Sequence, residues 1–275
     1  MAQGNSDRIH STQREQSSRK IGLARALSKL GYCSRSRAAE VIRASRVRVN
    51  GTVRRDPETP VRLDRDRIVL DGRGVDQHQK IYLMMNKPRG VVTTASDEKR
   101  RETVYTMLEK TGELLPWVAP VGRLDKASEG LLLLTNDSEW GAKIAAPETH
   151  LPKTYHVQIA AVADDKLLHA MVSGVPGEDG NVLCAAQARL LRAGKKNCWL
   201  EIVLDEGKNR HIRRMLGALG VEVLRLVRVA IGPLELGRLA KGGVRALTKE
   251  EKQLLDRAMA SSGRRPQTSD LRPRP

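Results

Sequence analysis

A run of four leucines at residues 131–134 is the segment that most restricts how this chain can fold. A continuous apolar run bounded by polar and charged residues is typical of a strand that is buried on both faces. Such a strand needs packed structure on each side of its sheet, and a chain of 275 residues is long enough to supply it. We therefore expect this run to lie in the middle of a sheet.

Strand and helix patterns alternate around the leucine run. The predicted strands are rich in apolar residues and lie at 81–85, 131–135, 153–159, 198–204 and 221–229. The predicted helices carry apolar residues at helical spacing and lie at 104–110, 138–146, 166–173, 210–219 and 249–257. Few connections are long crossovers, so the pattern predicts an α+β fold with a mostly antiparallel mixed sheet.

A smaller unit with a different pattern precedes this sheet. Apolar residues recur at helical spacing over 21–30, and Gly31 follows them where a helix C-cap is expected. Ser34 is placed to cap a second helix, which carries Arg35 and Arg37 on its polar surface. Two short helices with exposed arginines predict a compact basic docking surface.

Short β patterns complete this smaller unit. An Asn-Gly pair at 50–51 between apolar residues predicts a tight hairpin, and a further strand is expected at 68–70. Together with changes in composition, these patterns divide the chain into five predicted parts. They are a disordered basic arm at 1–19, a small α/β domain at 20–72, a linker at 73–80, a larger sheet-containing domain at 81–259 and a disordered basic tail at 260–275.

The charge balance points to a polyanionic partner. The chain has 49 Lys plus Arg against 32 Asp plus Glu, a formal net charge of +17. Basic side chains that neutralise phosphates release condensed counterions, so nucleic acid is the natural partner. Aromatic residues make up only 3% of the chain and Phe is absent, which argues against a single-strand binder built on stacked rings.

Other functional classes receive no support from the sequence. The three cysteines, Cys33, Cys184 and Cys198, are far apart and show neither a disulfide framework nor a zinc-ligand spacing. The glycine-rich turns match no nucleotide-binding fingerprint. No apolar run approaches the length of a membrane span, and the N-terminus lacks a signal-peptide core. We therefore expect a cytoplasmic protein with no metal, no cofactor and no membrane association.

The loop immediately before the leucine strand contains a candidate catalytic carboxylate. Asp125 lies between Arg123 and Lys126, whose positive charges favour the carboxylate anion and keep it available as a nucleophile or base. Composition alone does not distinguish this loop from an ordinary turn with an ion pair. The same triplet, Arg-Leu-Asp, occurs at residues 62–64, where no apolar strand follows directly, and we interpret that copy as a solvated turn.

Further candidates lie at strand ends. Tyr155, at the start of a predicted strand, is either a base-stacking residue or an ordinary strand aromatic. His156 points to the opposite face and is not assigned a catalytic role. Lys87 lies in a basic turn suited to phosphates. A strand-to-helix junction at 205–216 adds cations suited to phosphate contact, or to a salt bridge with a carboxylate: Lys208, Arg210, Arg213 and Arg214.

Taken in order, four motifs resemble the RsuA/RluB/RluE/RluF family of ribosomal RNA pseudouridine synthases. The resemblance covers about residues 20–255, and residues 30–51 are similar to the small RNA-binding domain named after a small-subunit ribosomal protein, the S-four-type domain. The motifs are Lys87-Pro-Arg-Gly90, Gly122-Arg-Leu-Asp125, Lys153-Thr-Tyr155 and Gly207-Lys-Asn-Arg-His-Ile-Arg213-Arg-Met215. The family pattern departs at two positions, with His211 where Gln is usual and Lys208 where Arg is common.

The resemblance implies a pseudouridine synthase fold behind an S-four-type domain. It implies that Asp125 is the catalytic aspartate, that Tyr155 packs on the target base and that Arg213 forms a salt bridge with Asp125. Arg123 would hold the place of the flipped nucleotide. With the basic residues named above, this predicts RNA contacts by Arg123, Arg35, Arg37, Lys87, Lys208, Arg210 and Arg214.

The implied activity is isomerisation of a specific uridine in ribosomal RNA or a ribosome-assembly intermediate, by a monomer that uses no cofactor. Large-subunit (23S) rRNA is favoured and a small-subunit (16S) site is the second choice. Two alternatives remain at this point. One is a non-catalytic RNA-binding or ribosome-assembly factor, and the other is a nucleic-acid hydrolase, which would ordinarily need a cluster of carboxylates for metal ions.

Overall fold

The computed structural model describes residues 20–76, 78–94, 97, 101–112 and 114–262. The predicted arm at 1–19, and residues 263–275 of the predicted tail, lie outside the described residues. The chain divides into two compact units. The first contains the described residues up to Ile81 with Leu114–Ala119 and Thr135–Ser138, and the second contains Tyr82–Glu113, Pro120–Leu134 and the described residues from Glu139 onward.

The first unit begins with two helices, as its sequence predicts. Ser34 caps the second helix, because its Oγ accepts a hydrogen bond from the backbone N–H of Arg37 at 3.2 Å. Gly31 follows the first helix with φ +83°, a left-handed conformation that suits glycine. The elements are α1 (Leu23–Lys29), α2 (Arg35–Arg43), β1 (Ile21–Gly22), β2 (Val47–Val49), β3 (Thr52–Arg54), β4 (Pro60–Val61), β5 (Ile68–Leu70) and β6 (Arg73–Gly74).

The predicted Asn-Gly hairpin joins β2 to β3. Asn50 and Gly51 have φ of +51° and +83°, and Val49 pairs with Thr52, so these two residues make the whole turn. The four-stranded sheet has the order β3-β2-β5-β6. One buried core joins both helices to this sheet, and it includes Leu23, Leu27, Ala38, Ile42, Val47 and Ile68.

Two predictions for this unit are corrected. The first helix begins at Leu23 rather than at residue 21, because β1 pairs with β4. The stretch 73–80 is not a free linker, since β6 pairs with β5 within it. The side chain of Asn136 also accepts a hydrogen bond from the N–H of Ile81 and donates one to the carbonyl oxygen of Gln79, both at 2.8 Å.

The second unit is built on one mixed sheet. Its order is β13-β14-β10-β15-β9-β7-β17, with β16 paired to β15 and β8 to β9. The pair of β9 with β15 is parallel, whereas β10 pairs antiparallel with both β14 and β15. The strands of this sheet are β7 (Tyr82–Lys87), β8 (Ala119–Pro120), β9 (Glu129–Thr135), β10 (Lys153–Ile159), β13 (Gln187–Ala193), β14 (Cys198–Leu204), β15 (Val223–Ile231), β16 (Leu234–Glu235) and β17 (Val244–Ala246). A separate antiparallel pair is formed by β11 (Val175–Pro176) and β12 (Val182–Leu183).

The leucine run forms the centre of this sheet. Every residue of β9 is buried, and the strand lies between β15 and β7, as its sequence predicts. Gly130 allows the close pairing with β15, because a Cβ there would lie 2.2 Å from the carbonyl oxygen of Arg228. Its φ of +100° also favours glycine. The α+β fold with a mostly antiparallel mixed sheet is confirmed.

Helices cover the sheet of the second unit. A buried cluster around Val157, Leu200, Met215 and Leu216 joins β10 and β14 to the helix that begins at His211. The helices are α3 (Val104–Glu109), α4 (Ser138–Ala145), α5 (Asp165–Ser173), α6 (His211–Ala218) and α7 (Lys249–Ser262). The last of these continues to 262, so the predicted tail boundary at 260 is too early. None of the helices in the described part of the chain is both long and apolar enough to cross a bilayer.

Candidate active site

The second unit contains a cleft of about 320 Å³ between the loop before β9, the ends of β10 and β15, and the start of α6. The cleft is where several site residues predicted from separate motifs meet. Its walls include Arg123, Asp125, Tyr155, Lys208, Arg210 and Arg213. Residues more than 80 positions apart in the sequence are thus brought around a single space.

The backbone of the loop that carries Asp125 is fixed from several directions. Each of the five consecutive carbonyl groups from Leu124 to Ser128 accepts a hydrogen bond. The donors, in the order of those carbonyls, are Thr93 Oγ1 at 2.8 Å, Ser128 N at 2.9 Å, Gly90 N at 2.8 Å, Arg213 Nη2 at 3.1 Å and Lys87 Nζ at 2.9 Å. Preorganisation of this kind holds a reactive side chain in one geometry.

Lys87 has a different role from the RNA contact predicted for it. Its side chain is fully buried, and its ammonium donates to the carbonyl oxygens of Pro88, Val91 and Ser128 at 3.0, 2.7 and 2.9 Å. All three of its N–H groups are therefore used inside the protein. Burial lowers the pKa of Lys87 from 10.5 to about 8, and the carboxylate of Asp125 opposes that shift only in part.

The carboxylate of Asp125 is left available. It is partly exposed in the cleft, and within the described residues it makes no side-chain hydrogen bond or ion pair. Asp205 also lines the cleft without such a partner, but it is exposed at a strand end, whereas the backbone around Asp125 is fixed. Glu206 is paired with Lys208 at 2.7 Å. Of these three cleft residues, Asp125 is thus the one that combines a carboxylate without a partner with a fixed backbone, as a reactive group requires.

Arg213 does not form the predicted salt bridge with Asp125 in the described structure. Its guanidinium instead donates to the carbonyl oxygens of Ala127 at 3.1 Å and Val223 at 3.2 Å, which ties α6 to the loop that carries Asp125. Burial, followed by repulsion from Arg210, lowers the pKa of Arg213, while attraction to Asp125 raises it. The two side chains therefore interact through space without direct contact.

Tyr155 lies on the floor of the cleft at the start of β10. It is opposite Ile202 on β14 and Arg228 on β15, and it packs against the buried cluster beneath the cleft. Its ring is half-buried and lines the same space as Asp125. His156 is on the other face of the sheet, with Nε2 at 3.5 Å from a carboxylate oxygen of Glu201, in agreement with its exclusion from the site.

The remaining cations predicted to bind RNA lie in three places. Arg123, Lys208 and Arg210 line the mouth of the cleft and are exposed. Arg214 is next to the cleft rather than in it, and its Nη2 contacts Asp179 at 2.6 Å. In the first unit, Arg35 and Arg37 are exposed on α2, where Arg37 also pairs with Glu40.

Sequence reasoning missed two residues of this site. Thr93 holds the Leu124 backbone through Oγ1, and nothing in the local sequence around it indicates that contact. Arg228 is 6% exposed and lines the cleft. The sequence does contain an indication of Arg228, because it is a charged residue inside the apolar pattern of β15. Such a residue must either leave the core or have a polar role within it.

The acidic, histidine and cysteine side chains of the described ranges do not form a metal-binding cluster. No group of three or more His, Cys, Asp or Glu side chains in those ranges could hold a metal ion. Glu129, at the start of β9, is held by Arg225 at 3.1 Å and Lys241 at 2.8 Å. Burial raises the pKa of Glu129, but these two cations together outweigh burial and lower it, so the group stays a structural anion.

Two family models match the chain. The model described as RNA pseudouridylate synthase matches residues 81–218, and the model described as S4 domain matches residues 21–68. The range matched by the synthase model contains Asp125, Tyr155 and Arg213. The range matched by the S4 model contains α1, α2 and the Asn-Gly hairpin.

Curated relatives are similar over almost the whole chain. An uncharacterized RNA pseudouridine synthase of Aquifex aeolicus (strain VF5) is 37% identical over 240 residues, which cover 87% of this chain and 95% of that protein. The ribosomal large subunit pseudouridine synthase B of Bacillus subtilis (strain 168) is 34% identical over 244 residues, covering 88% and 98%. A solved structure described as a pseudouridylate synthase aligns with a TM-score of 0.59 at 28% identity, covering 86% and 99%.

Proposed function

This chain belongs to the RNA pseudouridylate synthase family and carries an S4 domain, and we propose that its substrate is a uridine of large-subunit (23S) ribosomal RNA. The family predicted from the order of the four motifs is confirmed, and the chain is therefore a pseudouridine synthase. The choice of large-subunit RNA rests on the similarity to the Bacillus subtilis relative, a ribosomal large subunit pseudouridine synthase.

The proposed reaction is an isomerisation. The bond between ribose C1′ and uracil N1 breaks, and a bond between C1′ and C5 forms. The hydrogen on C5 leaves as a proton and N1 takes up a proton, so substrate and product contain the same atoms and electrons. Asp125 supplies the carboxylate that acts as nucleophile or base, and the cleft retains the detached base and limits the access of water.

The observation that carries this proposal is the combination of a fixed backbone and a free carboxylate at Asp125. Five hydrogen bonds hold the loop carbonyls, whereas the carboxylate faces the cleft without a partner in the described residues. A structural aspartate would be expected to use its side chain in an ion pair or a cap. Here the side chain is left for an external group, with Tyr155 available to pack on a base.

The basic surfaces fit a structured RNA substrate. The target uridine must leave its stack to enter the cleft, which costs a few kcal/mol that phosphate contacts elsewhere can offset. Arg123, Lys208 and Arg210 at the mouth are placed for the phosphates that flank the inserted nucleotide. Arg35 and Arg37 on α2 provide a second basic surface for RNA. We propose that the protein acts as a monomer in the cytoplasm.

Mapping of the product tests this function. The purified full-length protein would be incubated with separate large-subunit and small-subunit rRNA transcripts, and pseudouridines located by carbodiimide modification and primer extension. We expect a new pseudouridine in the large-subunit RNA. Product only in the small-subunit RNA would contradict the proposed substrate. No pseudouridine in either transcript or in isolated assembly intermediates would favour a non-catalytic RNA-binding factor.

A further inference from the structure

Buried nitrogen atoms without acceptors are concentrated at the cleft. In the described part of the chain, the arginine side chains with such atoms are Arg62, Arg213 and Arg228, and the last two line the cleft. A buried donor without an acceptor is unfavourable, and buried polar groups are nearly always paired in a functional state. The cleft therefore has the donors of a binding site whose acceptors arrive with the ligand.

Arg228 is the most informative of these residues. Only 6% of it is exposed, and its guanidinium carries donors and no acceptor, so an N–H left unpaired there is costly. One side of its guanidinium is fixed, because Nε donates to the carbonyl oxygen of Leu131 at 2.7 Å. Nη2 has no acceptor among the described residues.

The position of Arg228 assigns it to the innermost part of the cleft. It lies opposite Tyr155 on one neighbouring strand and Gly130 on the other, so its backbone is held by the centre of the sheet. An inserted nucleotide of an RNA chain keeps both flanking phosphates at the mouth, because they are covalently joined to the rest of the polymer. The part that reaches the floor beside Tyr155 is therefore the base.

We propose that Arg228 binds the uracil ring of the inserted uridine, with Nη2 donating a hydrogen bond to a ring carbonyl oxygen. The inference rests on the function proposed above and adds a residue that reads the base. Arginine has donors and no acceptor, so it selects a carbonyl oxygen rather than the N3–H group of uracil. Cytosine has an amino donor in place of the C4 carbonyl, and contact at that position would reject it.

The isomerisation itself suits a fixed donor at this place. To exchange N1 for C5 at the sugar, the ring turns about the axis through N3 and C6. This rotation places the C2 carbonyl where the C4 carbonyl was, and the reverse. A guanidinium held by Leu131 would then meet a carbonyl oxygen both before and after the rotation. Arg228 would hold the detached base in the plane needed for the second bond.

A functional double-mutant cycle tests this contact. The substrate is a short RNA hairpin carrying the mapped target as uridine, 2-thiouridine or 4-thiouridine, because sulfur is a weaker acceptor than oxygen. Wild type, Arg228→Met and Arg228→Lys would be compared by kcat/KM, kcat and thermal melting. Arg225→Met is the matched control, since Arg225 is on the same strand but does not line the cleft and pairs with Glu129.

The expected result is a coupling at one ring carbonyl or at both, since the rotation exchanges their positions. Wild type should lose about 10- to 100-fold in kcat/KM on at least one of the two thio-RNAs, the size of a lost charged hydrogen bond. Arg228→Met should be slower on uridine by a similar factor and should show little further loss on that thio-RNA, with Arg228→Lys in between. Arg225→Met should keep the wild-type ratio of kcat/KM on the uridine RNA to kcat/KM on that thio-RNA.

Two outcomes would overturn the inference. One is equal wild-type rates on uridine and both thio-RNAs, a result that does not depend on the folding of any variant. The other is additive losses in Arg228→Met or Arg228→Lys for both analogues. If wild type forms no pseudouridine even from the unmodified hairpin and rRNA, the proposed function itself fails, which separates that failure from the failure of the Arg228 contact.

Discussion

The triplet Arg-Leu-Asp occurs twice in this chain and is used in two different ways. At residues 62–64 it forms a turn before β5, in which Arg62 and Leu63 are partly buried and the exposed Asp64 interacts with the adjacent Arg65 at 3.8 Å. At residues 123–125 it forms the wall of the cleft, and the Asp125 carboxylate has no partner in the described residues. Identical local chemistry therefore gives a solvated turn in one unit and a candidate catalytic group in the other.

The difference lies in what holds each backbone. The first turn is held by short-range bonds: Asp66 Oδ2 accepts a hydrogen bond from the N–H of Arg62 at 2.6 Å, and the Arg62 carbonyl accepts from the N–H groups of Arg65 and Asp66. The second loop is held largely by distant donors, among them Thr93 and Lys87, and is followed directly by the buried strand β9. Tertiary support, rather than the triplet itself, therefore makes an aspartate available for chemistry.

The largest effect is expected from blocking the close approach of Gly130 to the backbone of Arg228, next to the loop that carries Asp125. Gly130→Ala would place a Cβ 2.2 Å from the carbonyl oxygen of Arg228 and would strain a φ of +100°. Strain and overpacking together should lower the free energy of unfolding by roughly 2–6 kcal/mol and abolish activity. Gly72→Ala is the control, with φ +79° and open space, and should cost only about 1–2 kcal/mol in urea denaturation. Equal losses in the two variants would contradict this account.

The next largest effect is expected from removing one of the distant donors, the hydroxyl of Thr93. Thr93→Val keeps the shape of the side chain but removes the hydrogen bond to the Leu124 carbonyl. We expect kcat to fall about 10- to 100-fold with little change in KM, because small misplacement of a reacting group is costly. Thr59→Val removes a comparable hydroxyl bond, to the Asp56 carbonyl, in the first unit and should leave kcat unchanged. A Thr93→Val enzyme with wild-type kcat would show that the loop does not need this anchor.

A smaller, pH-dependent effect is expected from Lys87. Its neutral amine has only two N–H groups for three carbonyl acceptors, so loop support should weaken as pH rises through about 8. We expect kcat to fall by a few-fold across this range and Lys87→Met to lose that alkaline limb. Stability should respond in the opposite sense. The unfolded chain binds this proton more tightly between pH 8 and 10.5, so the contribution of Lys87 to folding rises there. A wild-type kcat that stays flat to pH 9.5 would contradict the prediction.

The smallest effect is expected in the first triplet. Asp66→Asn weakens the contact to Arg62 and should lower the free energy of unfolding by about 0.5–1 kcal/mol, without changing the rate of pseudouridine formation. Hydrogen bonds from the Arg62 backbone and then from Asn50 lower the pKa of Asp66. Its stabilisation is therefore present above pH 3.8 and lost as pH falls through the lowered folded-state value, which acid denaturation of wild type and variant would show.

Local patterns were sufficient for much of the fold and for part of the site. The bounds of β10 and β14, the central position of β9 and the Asn-Gly turn followed from periodicity and turn chemistry. β13 was missed because almost all of its residues are exposed, so it lacks an apolar pattern. Lys87 was interpreted as a surface cation because lysine is seldom buried, and only the long-range contacts show otherwise.

The most direct test compares the two aspartates in otherwise identical proteins. Asp125→Asn and Asp64→Asn would be measured in single-turnover pseudouridine formation with saturating enzyme, and RNA affinity would be measured for both. We predict a rate loss of about 10⁴-fold or more for Asp125→Asn, with affinity within about twofold of wild type, and a wild-type rate for Asp64→Asn. Full activity in Asp125→Asn, or an equal loss in Asp64→Asn, would contradict the central claim that the tertiary support of its loop makes Asp125 the catalytic carboxylate.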